Sequence, residues 1–210
     1  MPKQKISAIL LLLAIVMTLT APSFSWQGNQ SDVNHQYAPL REAKLEFKDF
    51  SFPTLENKTL NLREAARGKR LLLVTYFASW CHNSTYDVDT LNELYAKYRE
   101  QGLEIIGVSV YSSPDELRNF IKEHKTAFPI CRESDEKVKN RNDTTHYRYR
   151  KQMDDNRRWG TPFSVFISPS EIEERGEIVT KRVRVVAGEL IKKETEEFIR
   201  QQLGITSDKS

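Results

Sequence analysis

Phe77-Ala78-Ser79-Trp80-Cys81-His82-Asn83-Ser84 lies where one sequence period gives way to another, and that junction decides the fold. Before it, Leu71-Leu72-Leu73-Val74-Thr75-Tyr76-Phe77 is a continuous apolar run of strand length, the pattern of a strand buried on both faces. After it, Val88, Leu91, Leu94, Tyr95 and Tyr98 recur at helical spacing until Gly102 stops the pattern. A cysteine at such a junction sits at the start of a helix, where unpaired backbone N–H groups and the helix dipole favour thiolate over thiol. The thiolate is the form that attacks disulfides, peroxides and electrophiles. An isolated cysteine is otherwise a small buried hydrophobe. The strand–Trp-Cys–helix context makes Cys81 a candidate nucleophile instead.

Outward from the junction, Leu103 to Val110 reads as a second buried strand. Ser113-Pro114-Asp115-Glu116 supplies a cap, a proline at the first helical position and acids in the first turn, with Leu117, Phe120 and Ile121 as the apolar face. Phe128-Pro129-Ile130 predicts a short strand ending at Cys131, and residues 132–158 a polar, partly helical segment. Phe163–Ile167 and Glu177–Val186 read as strands, and Leu190–Leu203 as a closing amphipathic helix. Upstream, Leu45–Phe50 and Lys58–Leu62 alternate around a polar turn at Glu56-Asn57, which predicts a hairpin. The order predicts an α/β fold, a central mixed β-sheet flanked by helices, with an N-terminal β-hairpin extension. Reactive groups in such sheets collect at the carboxyl ends of strands. Cys81 and Cys131 both fall just past such ends, which places them on one face.

The first residues set the compartment. Lys3 and Lys5 precede an apolar run from Ile6 to Leu19, and Ala21-Pro22-Ser23-Phe24-Ser25 follows, the layout of a secretory signal peptide over residues 1–25. The run is short of the roughly 20 apolar residues of a membrane span. Left uncleaved, it is an anchor and the chain's sole membrane contact. Residues 26–44 read as a polar linker, 45–204 as the domain and 205–210 as a disordered tail. A periplasmic or secreted location is one where disulfides persist. The formal net charge of +3, and the lack of a dense basic stripe interleaved with aromatics outside the stretch 137–158, argue against a nucleic-acid partner. The four histidines make no ligand spacing with the cysteines, so no metal is expected, and no cofactor loop is present. Asn29, Asn57, Asn83 and Asn142 begin glycosylation sequons. A glycan on Asn83 would cover the site, which favours a bacterial setting.

The segment Phe-Ala-Ser-Trp-Cys, the preceding hairpin and Gly68-Lys69, the Phe-Pro strand and Gly160-Thr161-Pro162 together resemble the thioredoxin superfamily, specifically the TlpA/ResA-like exported thiol–disulfide oxidoreductases. The resemblance runs from about residue 45 to 203 and implies a thioredoxin-like fold. It implies that Cys81 is the nucleophile and that Ser84 stands where the resolving cysteine belongs. His82 and Asn83 fill the two variable positions, and Trp80 flanks the site. Thr161 and Pro162 match a substrate-docking loop whose proline is cis, Asp87 an acid that assists proton transfer, and Asp89 a common helix proline. The implied partners are protein or small-molecule thiols and disulfides, with a membrane-bound thiol donor as a further one.

Ser84 departs from the pattern, because a hydroxyl cannot resolve a mixed disulfide. Three routes remain: Cys81 works as a monothiol released by an external thiol, Cys131 is a displaced resolving cysteine, or the redox cycle is lost. A Cys81–Cys131 bridge would close a loop of about 50 residues, contributing on the order of 4 kcal/mol if unstrained. The alternative for Cys131 is a strand-end cysteine packed against the sheet. Against the oxidoreductase stand a thioredoxin-fold binding or chaperone-like protein, and a peroxiredoxin-like peroxidase. The last lacks the threonine that such proteins place three residues before the cysteine, where this chain has Ala78. Lys137, Lys139, Arg141, Arg148, Arg150, Lys151, Arg157 and Arg158 form a locally basic stretch that is either a solvated face or a surface for an acidic partner.

Overall fold

The computed structural model describes residues 35–135 and 141–205. The signal-peptide segment lies outside the described residues, as do positions 206–210. Among the described residues no helix is long and apolar enough to cross a membrane.

The apolar runs become the middle of the molecule. Strands β1 (Tyr37–Ala38), β2 (Arg41–Lys48), β3 (Ser51–Pro53) and β4 (Thr59–Asn61) lead into the short helix α1 (Leu62–Ala66). Strand β5 (Leu71–Phe77) follows, then α2 (His82–Tyr98), β6 (Leu103–Ser109), α3 (Pro114–His124), β7 (Ile130–Arg132) and α4 (Thr145–Gln152). The chain closes with β8 (Phe163–Ile167), β9 (Ile178–Val186), β10 (Glu189–Leu190) and α5 (Lys192–Gln202). Six strands form one mixed sheet in the order β2-β9-β8-β5-β6-β7. Its centre is parallel between β5 and β6, and antiparallel between β5 and β8.

Because side chains alternate along a strand, β5 feeds two cores. Leu72, Val74 and Tyr76 pack with Ile106, Val108, Phe47 and Tyr149 on one face. Leu71, Leu73 and Phe77 pack with Val88, Leu91, Leu117 and Ile199 on the other. Helix α3 begins as its sequence requires, with a capping box in which Ser113 accepts from the Glu116 N–H and the Glu116 carboxylate accepts from the Ser113 N–H.

Two expectations are corrected. The alternating stretch around Leu45 and Phe47 is not an arm of the hairpin. It is β2, which begins at Arg41 inside the stretch read as a linker and pairs antiparallel with β9. Leu45 and Phe47 are buried under α4, and a strand with one apolar face this long needs a partner of matching length, which β9 supplies far along the chain. The hairpin is the shorter β3–β4 pair, from Ser51↔Asn61 to Pro53↔Thr59. Its turn carries Asn57 in the left-handed region at φ 58°. The linker also ends sooner than expected, since β1 pairs in parallel with β10.

Candidate active site

Strand β5 ends at Phe77, and the chain folds over at once, with the Cys81 N–H donating to the Ala78 carbonyl at 2.9 Å. Cys81 is the N-cap of the 17-residue α2, with extended backbone and no side-chain cap. Its sulfur is half-buried and stands at the positive end of that helix. Two polar contacts fix the turn: the Ser79 N–H donates to Ser112 Oγ at 2.9 Å, and Trp80 Nε1 donates to the Tyr111 carbonyl at 2.6 Å.

The antiparallel pairing Tyr76↔Phe163 brings the start of β8 beside the end of β5. The loop Gly160-Thr161-Pro162 thereby reaches the cysteine. The Thr161–Pro162 peptide is cis, and Cys81 Sγ donates to the Thr161 carbonyl at 3.4 Å. Of the residues read from the sequence as one site, Cys81 meets Thr161, Trp80 beside it packs on Trp159, and His82 is exposed at the head of α2, edge-on to Tyr86 at 4.4 Å. Asn83 and Ser84 turn inward and are buried. Among the described residues Ser84 Oγ has no hydrogen-bond partner.

Asp87, one turn on, is also buried. Its Oδ1 accepts from the Leu190 N–H at 2.8 Å, while Oδ2 has no partner among the described residues. Ser84, Asp87 and Pro162 line a common hollow with Thr75, Phe77 and Phe128. Burial pushes the Asp87 carboxyl up from 3.8 to about 7, against the Leu190 hydrogen bond and helped by Glu189. Glu189 is itself buried, with Oε2 2.6 Å from His35 Nδ1 and Oε1 accepting from the Gln36 N–H at 2.7 Å.

The sign of the Asp87 effect follows from linkage. The folded carboxyl holds its proton more tightly than the unfolded one, so its contribution is most favourable below pH 3.8 and is lost as pH rises through about 7. A change of that size corresponds to at most ~4 kcal/mol. Asp87→Asn is expected to gain on the wild type at pH 8 and not at pH 4. Urea unfolding at both pH values measures this, and an equal difference at the two would show that Asp87 does not titrate between them.

Cys131 lies apart from this chemistry. It sits within β7, opposite Val108, and its Sγ donates to the Gly107 carbonyl at 3.7 Å. It is fully buried in the core cluster that contains Tyr76, Tyr111 and Tyr149. Burial, then the nearby Glu133, pushes its thiol up to about 12. Both cysteines are free. The expectation that both cysteines lie past strand ends on one face is corrected: β7 runs on to Arg132, so Cys131 lies inside the strand with its side chain in the core.

The residues that hold the Thr-Pro loop were not legible as a site. His146 is buried between Tyr111 and the loop, with Nδ1 3.0 Å from the Tyr111 hydroxyl and Nε2 3.3 Å from the Gly160 carbonyl. That carbonyl can only accept, which assigns the proton to Nε2. Burial, then Arg150, pulls the imidazole down to about 3, so it is neutral. Arg150 is 3% exposed and donates to the Trp159 carbonyl at 2.8 Å, to Asp155 Oδ2 at 3.1 Å and to the Arg157 carbonyl. It fills the space over Gly160, where a Cβ would lie 1.8 Å from Arg150 Nε and where φ is +69°. The basic stretch is therefore not wholly a solvated face. The one available sequence signal was the spacing of His146, Tyr149, Arg150 and Met153 behind the capping Thr144, a helical face whose polar members hid its burial.

A helix-capping cysteine facing a Thr-Pro loop, on this sheet order, places the protein in the thioredoxin superfamily. The chain belongs to the AhpC/TSA family, whose profile matches residues 44–186. A thiol-disulfide oxidoreductase ResA of Bacillus cereus is 30% identical over 93 residues, covering 44% of this chain and 53% of that protein. The ResA of Oceanobacillus iheyensis is 30% identical over 135 residues, 63% of this chain and 66% of its own length. The chain thus spans about half the length of the first of these relatives and just under two thirds of the second. Among solved structures, a thiol:disulfide interchange protein of Chlorobium tepidum superposes with a TM-score of 0.55 at 19% identity, over 77% of this chain and 97% of that one. At that identity the likeness establishes the fold.

Proposed function

We propose that the protein is an exported thiol–disulfide oxidoreductase that works through Cys81 alone. The observation that carries this reading is Cys81 itself, a residue not fully buried, with its sulfur 3.4 Å from the Thr161 carbonyl at the head of α2 and Ser84 in place of a second thiol. The Cys81 thiolate attacks a disulfide R–S–S–R′, forming Cys81–S–S–R and releasing R′–S⁻. A second thiolate R″–S⁻ then attacks the R sulfur, which forms R–S–S–R″ and returns the Cys81 thiolate. Electrons balance between the two substrates, and no group of this chain beyond Cys81 changes oxidation state. Asp87, which ionises near pH 7 and shares a hollow with Ser84 and Pro162, accepts or returns the proton on the inner side of the site. The Thr161–Pro162 loop aligns the incoming disulfide. The apolar run at residues 6–19 supports export.

A second reading, a binding protein without turnover, is favoured by the buried and unpaired Ser84 hydroxyl. One experiment separates the two. The purified protein is mixed with a fluorescent mixed disulfide and excess free thiol, and release of the fluorophore is followed. Turnover is expected for the wild type and its loss for Cys81→Ser. Turnover that survives Cys81→Ser would overturn the proposal, and a wild type that forms one adduct without turnover supports the binding reading.

A further inference from the structure

The segment from Arg141 to Arg158 does more than hold the loop. Arg141, Arg150, Lys151, Arg157 and Arg158 surround a pocket of about 170 Å³ in which the single carboxylate is Asp155. Asp155 is already committed, with Oδ2 2.7 Å from Arg157 Nη2 and 3.1 Å from Arg150 Nε. Those two guanidiniums are used up in turn, on Asp155 and on the carbonyls of Trp159, Gly160 and Pro162. Among the described residues no carboxylate pairs with Arg141, Lys151 or Arg158. Aromatic faces hold these three in place instead: Arg141 and Arg158 lie over the Trp159 ring at 5.4 and 5.7 Å, and Lys151 over Tyr147 at 5.7 Å. A pocket lined by oriented and unneutralised cations fits an anion, and guanidiniums fit a carboxylate in particular.

The pocket connects to the thiol by two short routes. Trp159 meets Trp80, the neighbour of Cys81, edge-on at 5.1 Å. Arg157 donates to the Gly160 carbonyl at 3.0 Å, one residue before the Thr161 carbonyl that faces Cys81 Sγ. We infer that this pocket binds the carboxylate end of a small acidic thiol, and that such thiols are the second substrate that releases Cys81 from its mixed disulfide. The volume admits a carboxylate group rather than a folded acidic surface, and the monothiol route requires a thiol from outside the chain. In the step this adds, the anchored R″–S⁻ attacks Cys81–S–S–R, R″–S–S–R leaves, and Cys81 recovers its thiolate. The inference rests on the exchange reading above for this step but not for the binding.

Three small disulfides of different charge test it: glutathione disulfide (anionic), bis(2-hydroxyethyl) disulfide (neutral) and cystamine (cationic). With full-length protein, the second-order rate constant for Cys81 attack on glutathione disulfide, the microscopic reverse of release by glutathione thiolate, is expected to exceed that for the neutral compound by about tenfold, the contribution of one charge-assisted contact. The preference is expected to shrink in about 0.5 M salt, and to fall to near parity in the double variant Lys151→Glu, Arg158→Glu. Binding is read separately by calorimetry with S-methylglutathione, which cannot exchange, on the Cys81→Ser protein with and without the two reversals. Equal rates for all three disulfides in the wild type, unaffected by salt, would overturn the pocket and leave the exchange reading intact. Binding of S-methylglutathione that the reversals abolish, in a protein that exchanges none of the disulfides, would uphold the pocket and overturn the exchange reading.

Discussion

Replacing Arg150 by alanine is expected to lower the unfolding free energy by about 3–5 kcal/mol, the effect of removing one member of a buried ionic network. The guanidinium serves Asp155, whose side chain is 6% exposed, and the carbonyls of Trp159 and Arg157. Burial by itself would raise the Asp155 carboxyl, but Arg157 and Arg150 hold it down to about 2. Without Arg150 that carboxylate keeps one partner, and three buried acceptors lose a donor. In a domain of this size each kcal/mol moves Tm by about 2–4 °C, so a fall of roughly 10 °C is expected by calorimetry. Arg150→Met, which keeps the length of the side chain and removes the charge, is expected to recover little. A loss below about 1 kcal/mol in either variant would mean that water replaces the guanidinium without penalty.

The second large effect is a gain. Ser84→Cys is expected to convert a protein that waits for an external thiol into one that releases its own mixed disulfides. Residues three apart on a helix have Cα atoms about 5 Å apart, inside the roughly 4.4–6.8 Å window of a disulfide. The substitution removes a buried hydroxyl that has no partner, so the site gains rather than loses by the exchange of oxygen for sulfur. An internal thiol with an effective molarity of even about 1 M, far below the intramolecular limit, outruns an external thiol at about 10 mM by a hundredfold. The lifetime of a Cys81 mixed disulfide, followed by mass spectrometry, should shorten by that order. The oxidised variant should also show a linked 81–84 peptide. An unchanged lifetime would mean that position 84 is too enclosed to reach the Cys81 sulfur, and would point to a site adapted to hold its adducts.

The parts of this structure that were legible are those where burial and pattern coincide within one stretch of chain. Strand β5 was visible because each of its residues is buried, so seven apolar-permissive positions run together. Helix α3 was visible because Ser113, Pro114 and Glu116 perform their capping roles within four residues. The meeting of Cys81 with Thr161 followed from the family resemblance, since nothing local announces that β8 starts beside the end of β5. Strand β2 was misassigned because its partner lies about 135 residues away, and alternation names a face without naming a neighbour. The support of the loop was missed for a different reason. Arg150 and His146 are polar, and polar residues read as surface unless their partners are known. Those partners are backbone carbonyls and a carboxylate that only the folded loop presents. Cys131 shows the limit of topology: the strand runs on to Arg132, so Cys131 lies inside β7 rather than past its end, and the alternation of side chains turns it into the core.

The close fit of Arg150 over Gly160 also limits the routes by which this protein can change. A side chain at position 160 is excluded while the guanidinium stands 1.8 Å from where its Cβ would be. Loss of the guanidinium is in turn unfavourable while Asp155 is charged and buried. The three positions are therefore coupled: Asp155 and Arg150 compensate each other's charge, so a change at either leaves the other unpaired, and a side chain at 160 meets both the guanidinium and a left-handed backbone at φ +69°. The segment between β7 and β8 is consequently not an ornament that descendants can trim freely, because deleting it removes the clamp on the loop that faces the thiol.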